Sequence, residues 1–157
     1  SFQLQHDTKL LLNLIDHLNE YNFIFYLTNY DEVIEKIGNK TNVIFRKATP
    51  INLCHKVISS CPALLCIEST TTVGQTCKYI TYMSSGKPIL FVGSVHNLDE
   101  ELNKYKAYFV ADSDSKFSDA AKFLKEKKSF DYTQYSEVFP DYSNENIGKK
   151  IIESHLE

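Results

Sequence analysis

The chain has 157 residues, the length of a single domain, with 43% hydrophobic and 24% charged residues, as in ordinary globular proteins. Its formal net charge of −3 argues against nucleic acid or an anionic membrane surface as the main partner, because such partners require clustered Lys and Arg. No apolar run approaches the roughly 20 residues that span a bilayer, and no signal peptide is visible. Our expectation of a cytoplasmic protein depends instead on the cysteines.

The four cysteines fall in or beside apolar stretches, and none forms a C-x-x-C pair. We expect all four to be reduced and mostly buried, as small apolar side chains in a reducing compartment (Cys54, Cys61, Cys66 and Cys77). The five histidines are scattered without ligand spacing, so the sequence predicts no metal site.

Apolar runs alternate with helical patterns along most of the chain. Each run is continuous, which is typical of parallel strands covered on both faces. The predicted strands are residues 23–27, 43–45, 63–67, 88–92 and 107–110. The predicted helices are residues 7–20, 31–37, 50–59 (with Pro50 in the first turn), 75–85 (closed by Gly86), 98–105 and 115–127.

This alternation predicts an α/β fold, a doubly wound Rossmann-like parallel sheet of at least five strands with helices on both faces. Residues 1–128 would form this domain. Because the first clear element is a helix, we expect a truncated first strand. Residues 1–5 are then its remnant, or the strand lies outside the chain.

Residues 129–157 form a different kind of segment, rich in aromatic side chains and ending in a predicted helix over residues 144–155. Aromatic residues at this density usually pack against something. Two alternatives stay open: the segment packs on its own domain, or it docks on a separate N-terminal domain.

The polar loop after the third strand is the most informative stretch for chemistry. Ser69 and Thr72 belong to a run of four hydroxyl residues, and Gly74 permits close backbone approach. The N–H groups around Val73 and Gln75 would stand at a helix start, where an anion is favoured. Lys78 would add a positive charge one turn into the helix. This pattern alone is compatible both with phosphate binding and with ordinary N-capping of the helix.

The segment GQTCKYITYMSSGKPIL resembles the C-terminal-domain helix of GT-B glycosyltransferases of the bacterial capsule, O-antigen and exopolysaccharide type. In that family the helix reads K-L-x-E-Y-L-A-S-G-K-P-V/I-L after a strand. The residues of this chain that match are Lys78, Tyr82, Ser85, Gly86, Lys87 and Pro88. The order of elements over residues 23–127 is similar as well.

The resemblance implies that this chain is the donor half of such an enzyme. It would bind a nucleoside diphosphate sugar as substrate, with no other cofactor, and transfer the sugar to a polysaccharide or glycolipid. The acceptor half, an N-terminal domain, would hold the catalytic base, so no catalytic residue is assigned here. We expect the isolated domain to transfer no sugar. Peripheral membrane association of the complete enzyme is compatible with this interpretation.

Two departures from the family pattern bear on the donor site. The family's two acids, eight residues apart, correspond to Val73 and Thr81, and Thr81 could still bind a ribose hydroxyl. The family's basic N-terminal loop contains only Lys9 here. Positive charge would then come from Lys78 and from Arg46 and Lys47, which end the second strand. The loop from Arg46 to Thr49 would lie beside the base.

The missing acids favour an alternative function, a degenerate non-catalytic α/β interaction module. A receiver-like signalling domain fits less well. It requires an acidic cluster after the first strand, whereas Asp112 and Asp114 follow the last one.

Overall fold

The computed structural model describes residues 8–28, 30–67, 78–93, 95, 99–126 and 129–130. Strands and helices alternate throughout these ranges, so the α/β prediction is confirmed. The strands are β1 (Phe23–Leu27), β2 (Val43–Lys47), β3 (Leu64–Ile67), β4 (Ile89–Val92) and β5 (Tyr108–Ala111). The helices are α1 (Thr8–His17), α2 (Tyr30–Ile37), α3 (Ile51–Ser60), α4 (Lys78–Met83), α5 (Asp99–Tyr105) and α6 (Phe117–Glu126), with a 3₁₀ turn at Asp114–Lys116.

The five strands pair in two parallel ladders instead of the single sheet that we expected. One ladder joins β1 to β2, with Phe25 opposite Phe45. The other has the order β3-β4-β5, with Leu65 opposite Leu90 and Leu90 opposite Phe109. Small parallel ladders of this kind are compatible with a Rossmann-like fold, but one continuous five-stranded sheet is absent from the described residues.

A first core lies on one side of both ladders. It contains the apolar side chains of α1 and the turn after it (Leu11, Leu14, Ile15 and Leu18), together with side chains of α2 and α6. Both ladders contribute to it, β1 through Phe25 and β4 through Leu90. Because the two ladders share this core, three helices cover the same side of both.

A second core lies on the opposite side of the β3–β4–β5 ladder. The strands contribute Cys66, Ile89 and Phe91, while α4 contributes Met83 and α5 contributes Tyr105. All four residues of β4 are buried, so this strand is covered on both faces, as a continuous apolar run predicts.

The β1–β2 ladder is covered on one face only among the described residues. Alternate side chains of the two strands point away from the first core, and Ile24 and Ile44 remain 41% and 38% exposed. We call this surface the outer patch and define it as Ile24, Tyr26, Ile44 and Arg46. The expectation that every strand is covered on both faces is therefore wrong for this ladder.

Helix ends are set by local backbone geometry. Gly86 has φ of 68° and donates its N–H to the Met83 carbonyl, as expected for the C-terminal cap of α4. Gly38 closes α2 in the same way, with φ of 72°. Pro50 is not in the first turn of α3; it precedes the helix as its N-cap, with extended backbone.

Candidate functional site at the carboxyl ends of the strands

The carboxyl ends of parallel strands lie at one edge of a sheet, which is where open α/β proteins bind ligands. In each ladder of this chain the strands share one direction. The edges are marked by the last strand residues, which are Leu27 and Lys47 in one ladder and Ile67, Val92 and Ala111 in the other.

Most of the predicted phosphate loop lies outside the described residues: Ser69, Thr72, Val73, Gly74 and Gln75. Helix α4 is described from Lys78 onward, so Lys78 stands on the chain that returns from the carboxyl end of β3.

Thr81 lies three residues after Lys78, one turn further along α4. It is half-buried, and its carbonyl oxygen accepts a hydrogen bond from Ser84 Oγ at 2.9 Å. Thr81 is thus a half-buried helix residue that offers a neutral hydroxyl and no carboxylate. A neutral hydroxyl forms weaker hydrogen bonds than an ionised carboxylate.

Arg46 is the second-last residue of β2 and pairs with Tyr26 of β1 in the ladder register. Its guanidinium lies 6.0 Å from the centre of the Tyr26 ring, and Nη1 is 3.4 Å from the Tyr26 hydroxyl. This contact holds Arg46 on the outer patch. The structure therefore places the charge of Arg46 over the face of the ladder. Of the other predicted site residues in this segment, Lys47 is exposed and Thr49 is half-buried, and both follow Arg46 at the carboxyl end of β2.

The edge beyond β5 carries negative charge. Asp112 and Asp114 follow the strand, and Asn13 Nδ2 of α1 donates to Asp114 Oδ2 at 3.2 Å. Ser113 Oγ donates to Asp112 Oδ1 at 3.0 Å. Two carboxylates here disfavour a phosphate beside β5. An anion would be accommodated better near Lys47, which ends β2, or near Lys78, which follows β3 at the other edge of the three-stranded ladder.

A group of thiols around Tyr82 was not anticipated from the sequence. Burial raises the pKa of the Tyr82 phenol above its ordinary value, and the nearby thiols of Cys66, Cys61 and Cys54 act in the same direction. Tyr82 thus packs against the second core, which contains Cys66 of β3, and lies near thiols of α3 and of the turn after it. Spacing could not have revealed this, since Cys54 and Tyr82 lie 28 positions apart and meet only through the fold.

The cysteine prediction is confirmed in part. Cys54, Cys61 and Cys66 are reduced, but of these three only Cys66 is buried and the other two are partly exposed. Cys77 lies outside the described residues. Within the described part of the chain, no group of three or more His, Cys, Asp or Glu side chains could hold a metal ion.

The comparisons with known proteins give no match: no family model, no curated protein and no solved structure is significantly similar to this chain. Among the helices of the described ranges, none combines the length and apolar character needed to cross a membrane.

Proposed function

We propose that this chain is the nucleotide-sugar-binding half of a cytoplasmic GT-B glycosyltransferase that transfers a sugar to a polysaccharide or glycolipid. The carrying observation is the unit β3–α4–β4. Its two strands are parallel neighbours, and its helix returns from the carboxyl end of β3 before ending at Gly86. The matching residues Gly86, Lys87 and Pro88 are the turn from this helix into β4. The donor would bind where the loop after β3 meets α4.

Charge supports the same location. Lys47 ends β2 and Lys78 begins the described part of α4, which follows β3, while Asp112 and Asp114 follow β5 at the opposite edge of the three-stranded ladder. A diphosphate would be drawn to the basic side of this edge. A charge-assisted hydrogen bond from Lys78 would contribute about 1.5–3 kcal/mol.

The alternative is a non-catalytic interaction module, and two observations favour it. Thr81 provides no carboxylate for the donor, and Arg46 pairs with Tyr26 on the outer patch instead of extending along the edge. A surface that combines Arg, Tyr and Ile has the composition typical of protein interfaces. The outer patch would then be the functional surface.

Titration of the protein with uridine and guanosine diphosphates, followed by amide chemical shifts, distinguishes the two functions. Donor binding predicts shifts concentrated in residues 69–81, and Lys78→Ala should weaken the affinity about tenfold or more, the loss of one charge-assisted bond. Lys104→Ala is the matched control. Lys104 is an exposed lysine near the C-terminal end of α5, which leads to the start of β5 and hence to the opposite edge.

The control variant should bind either nucleotide as the unaltered chain does. If neither nucleotide shifts residues 69–81 at millimolar concentration, the donor site is absent and the interaction module remains. Equal weakening by Lys78→Ala and Lys104→Ala would show nonspecific attraction of the anion.

A further inference from the structure

We propose that the outer patch is a docking surface for an acidic segment of another protein, in which Arg46 binds a carboxylate and Ile24 and Ile44 pack against aliphatic side chains. The patch brings both kinds of group together. Ile24 lies directly opposite Ile44 in the ladder register, and Tyr26 lies opposite Arg46. Residues two positions apart in a strand share a face and lie about 7 Å from each other. The patch therefore has an apolar half beside a cationic half.

The apolar half is exposed. Among the described residues three large hydrophobic side chains are exposed, and they are Ile24 of β1, Ile44 of β2 and Leu53 of α3. Two of these three are direct neighbours on the outer patch. Both isoleucines stay exposed in the folded chain, so apolar area is left there for a partner to cover.

The cationic half is a guanidinium that is already held in place. Arg46 is the only arginine in the chain, which has 17 Lys and Arg residues in total. Its guanidinium lies 6.0 Å from the centre of the Tyr26 ring, and Nη1 is 3.4 Å from the Tyr26 hydroxyl. This contact involves Nη1, whereas the planar fork of guanidinium N–H groups matches the two oxygens of a carboxylate. Because the ring positions the charge, a carboxylate partner need not order it.

The surroundings of the patch are positively charged, although the net charge of the chain is −3. Strands β1 and β2 and helix α3 contain no acidic residue. In the sequence no Asp or Glu occurs between Glu35 and Glu68, a stretch that holds five of the Lys and Arg residues. The ion pairs within the described residues do not include Arg46. A carboxylate from a partner would therefore complement this surface.

Other occupants fit the outer patch less well. A second copy that docks patch to patch would place Arg46 against Arg46, and like charges in contact oppose that arrangement. Anionic membranes and nucleic acids are bound by larger clusters of basic residues, about four to eight for a membrane surface. Strands β1 and β2 contain two, Arg46 and Lys47. An acidic protein segment, with few carboxylates beside aliphatic side chains, matches this number.

The test titrates the full chain with a synthetic peptide in which Glu and Val alternate on one face and Ser occupies the positions between them. Amide and isoleucine methyl shifts should concentrate on Ile24, Ile44 and their neighbours in β1 and β2. Arg46→Ala should weaken binding about tenfold or more, the loss of one charge-assisted pair. Arg46→Lys should restore only part of the affinity, because lysine cannot form the two-pronged pair.

Two further variants separate the apolar and the electrostatic contributions. Ile44→Ser keeps the guanidinium and should also weaken the peptide. Lys116→Ala removes another exposed cation, in the 3₁₀ turn after β5, and should bind as the unaltered chain does. The proposal does not depend on the donor site, which would lie after β3 in the other ladder. Nucleotide shifts at residues 69–81 can therefore be present or absent whatever the peptide does.

Each other outcome overturns the proposal. A peptide at millimolar concentration that leaves β1 and β2 unshifted would show that the patch does not bind acidic segments. Equal binding of a peptide with Lys in place of Glu would show that charge is not recognised. Equal weakening by Arg46→Ala and Lys116→Ala would show nonspecific attraction. Stronger shifts of the same methyl groups with phosphatidylserine vesicles or single-stranded RNA would make a membrane or a nucleic acid the partner, and shifts that depend only on protein concentration would make it a second copy.

Discussion

The two parallel ladders are built from similar apolar runs but lie in different surroundings. In β4 every residue is buried, between α1, α2 and α6 on one side and α4 and α5 on the other. In β1 burial alternates, and Ile24 is exposed although its neighbours Phe23 and Phe25 are buried. A continuous run of apolar residues therefore does not establish that both faces of a strand are covered by the adjacent helices.

The two ladders differ in burial because different helices pack against them. Helix α2 packs on the first core through Val33, and α4 and α5 pack on the second core. Helix α3 belongs to neither core among the described residues, and its Leu53 is exposed. The ladder beside it therefore keeps an uncovered face, and stability should be distributed unevenly between the two ladders.

Two isoleucines that both lie outside the first core provide the sharpest test of this uneven distribution of stability. Ile89 in β4 is fully buried in the second core, whereas Ile44 in β2 lies on the outer patch. Ile89→Ala should lower the free energy of unfolding by about 2–5 kcal/mol because it leaves a cavity in a packed core. Ile44→Ala should cost about 1 kcal/mol, since less buried surface is lost.

Urea denaturation followed by circular dichroism measures both values. A loss for Ile44→Ala as large as that for Ile89→Ala would break the comparison, because the two ladders would then be equally covered. An unchanged slope with denaturant concentration is needed for the two numbers to be comparable.

Two glycine caps give a smaller effect at corresponding positions. Gly38 precedes β2 and Gly86 precedes β4, and both have positive φ. The left-handed conformation costs an alanine about 1–2 kcal/mol. At Gly38 a Cβ would meet nothing within 4 Å, so Gly38→Ala should show only this conformational cost.

Gly86 is buried between α4 and β4, and its carbonyl accepts the Phe130 N–H. We expect Gly86→Ala to lower the free energy of unfolding by more than Gly38→Ala, in the same urea measurement.

Lys106 provides the reverse test, because it adopts φ of 61° without being glycine. Lys106→Gly should raise stability by up to about 1 kcal/mol. Destabilisation by Lys106→Gly would show that the cost of a positive φ does not determine the stability of these helix ends.

Local patterns predicted the elements well because each depends on neighbouring residues. The strand at residues 23–27 and a helix before it are as expected, and Gly86 caps α4. The division into two ladders could not be predicted, since it depends on how remote strands pack. The same applies to which side chains of α6 are buried, namely Phe117, Ala120 and Phe123.

The candidate site was less accessible to sequence reasoning. Alternation along β2 could have shown that Arg46 and Lys47 point to opposite sides, but not that Arg46 contacts Tyr26. The thiols near Tyr82 come from α3, the turn after it and β3, so their proximity is a property of the fold alone. The donor site at residues 69–78 remains a prediction.

The smallest expected effect concerns Tyr82, which ties α4 to the covered side of the β3–β4–β5 ladder. Its pKa in the folded protein is raised by burial, so the folded state holds the phenolic proton more tightly than the unfolded chain does. The associated stability is fully present below the unfolded value of about 10 and is lost as pH rises through the folded pKa.

Tyr82→Phe should therefore reduce the decline in unfolding free energy between about pH 9 and pH 11. Urea titrations of both proteins at several pH values measure this slope, and the other tyrosines and the thiols, present in both, cancel in the difference. Identical slopes would mean that Tyr82 ionises in the folded protein as freely as in the unfolded chain, and the burial of its phenol beside the second core would have to be abandoned.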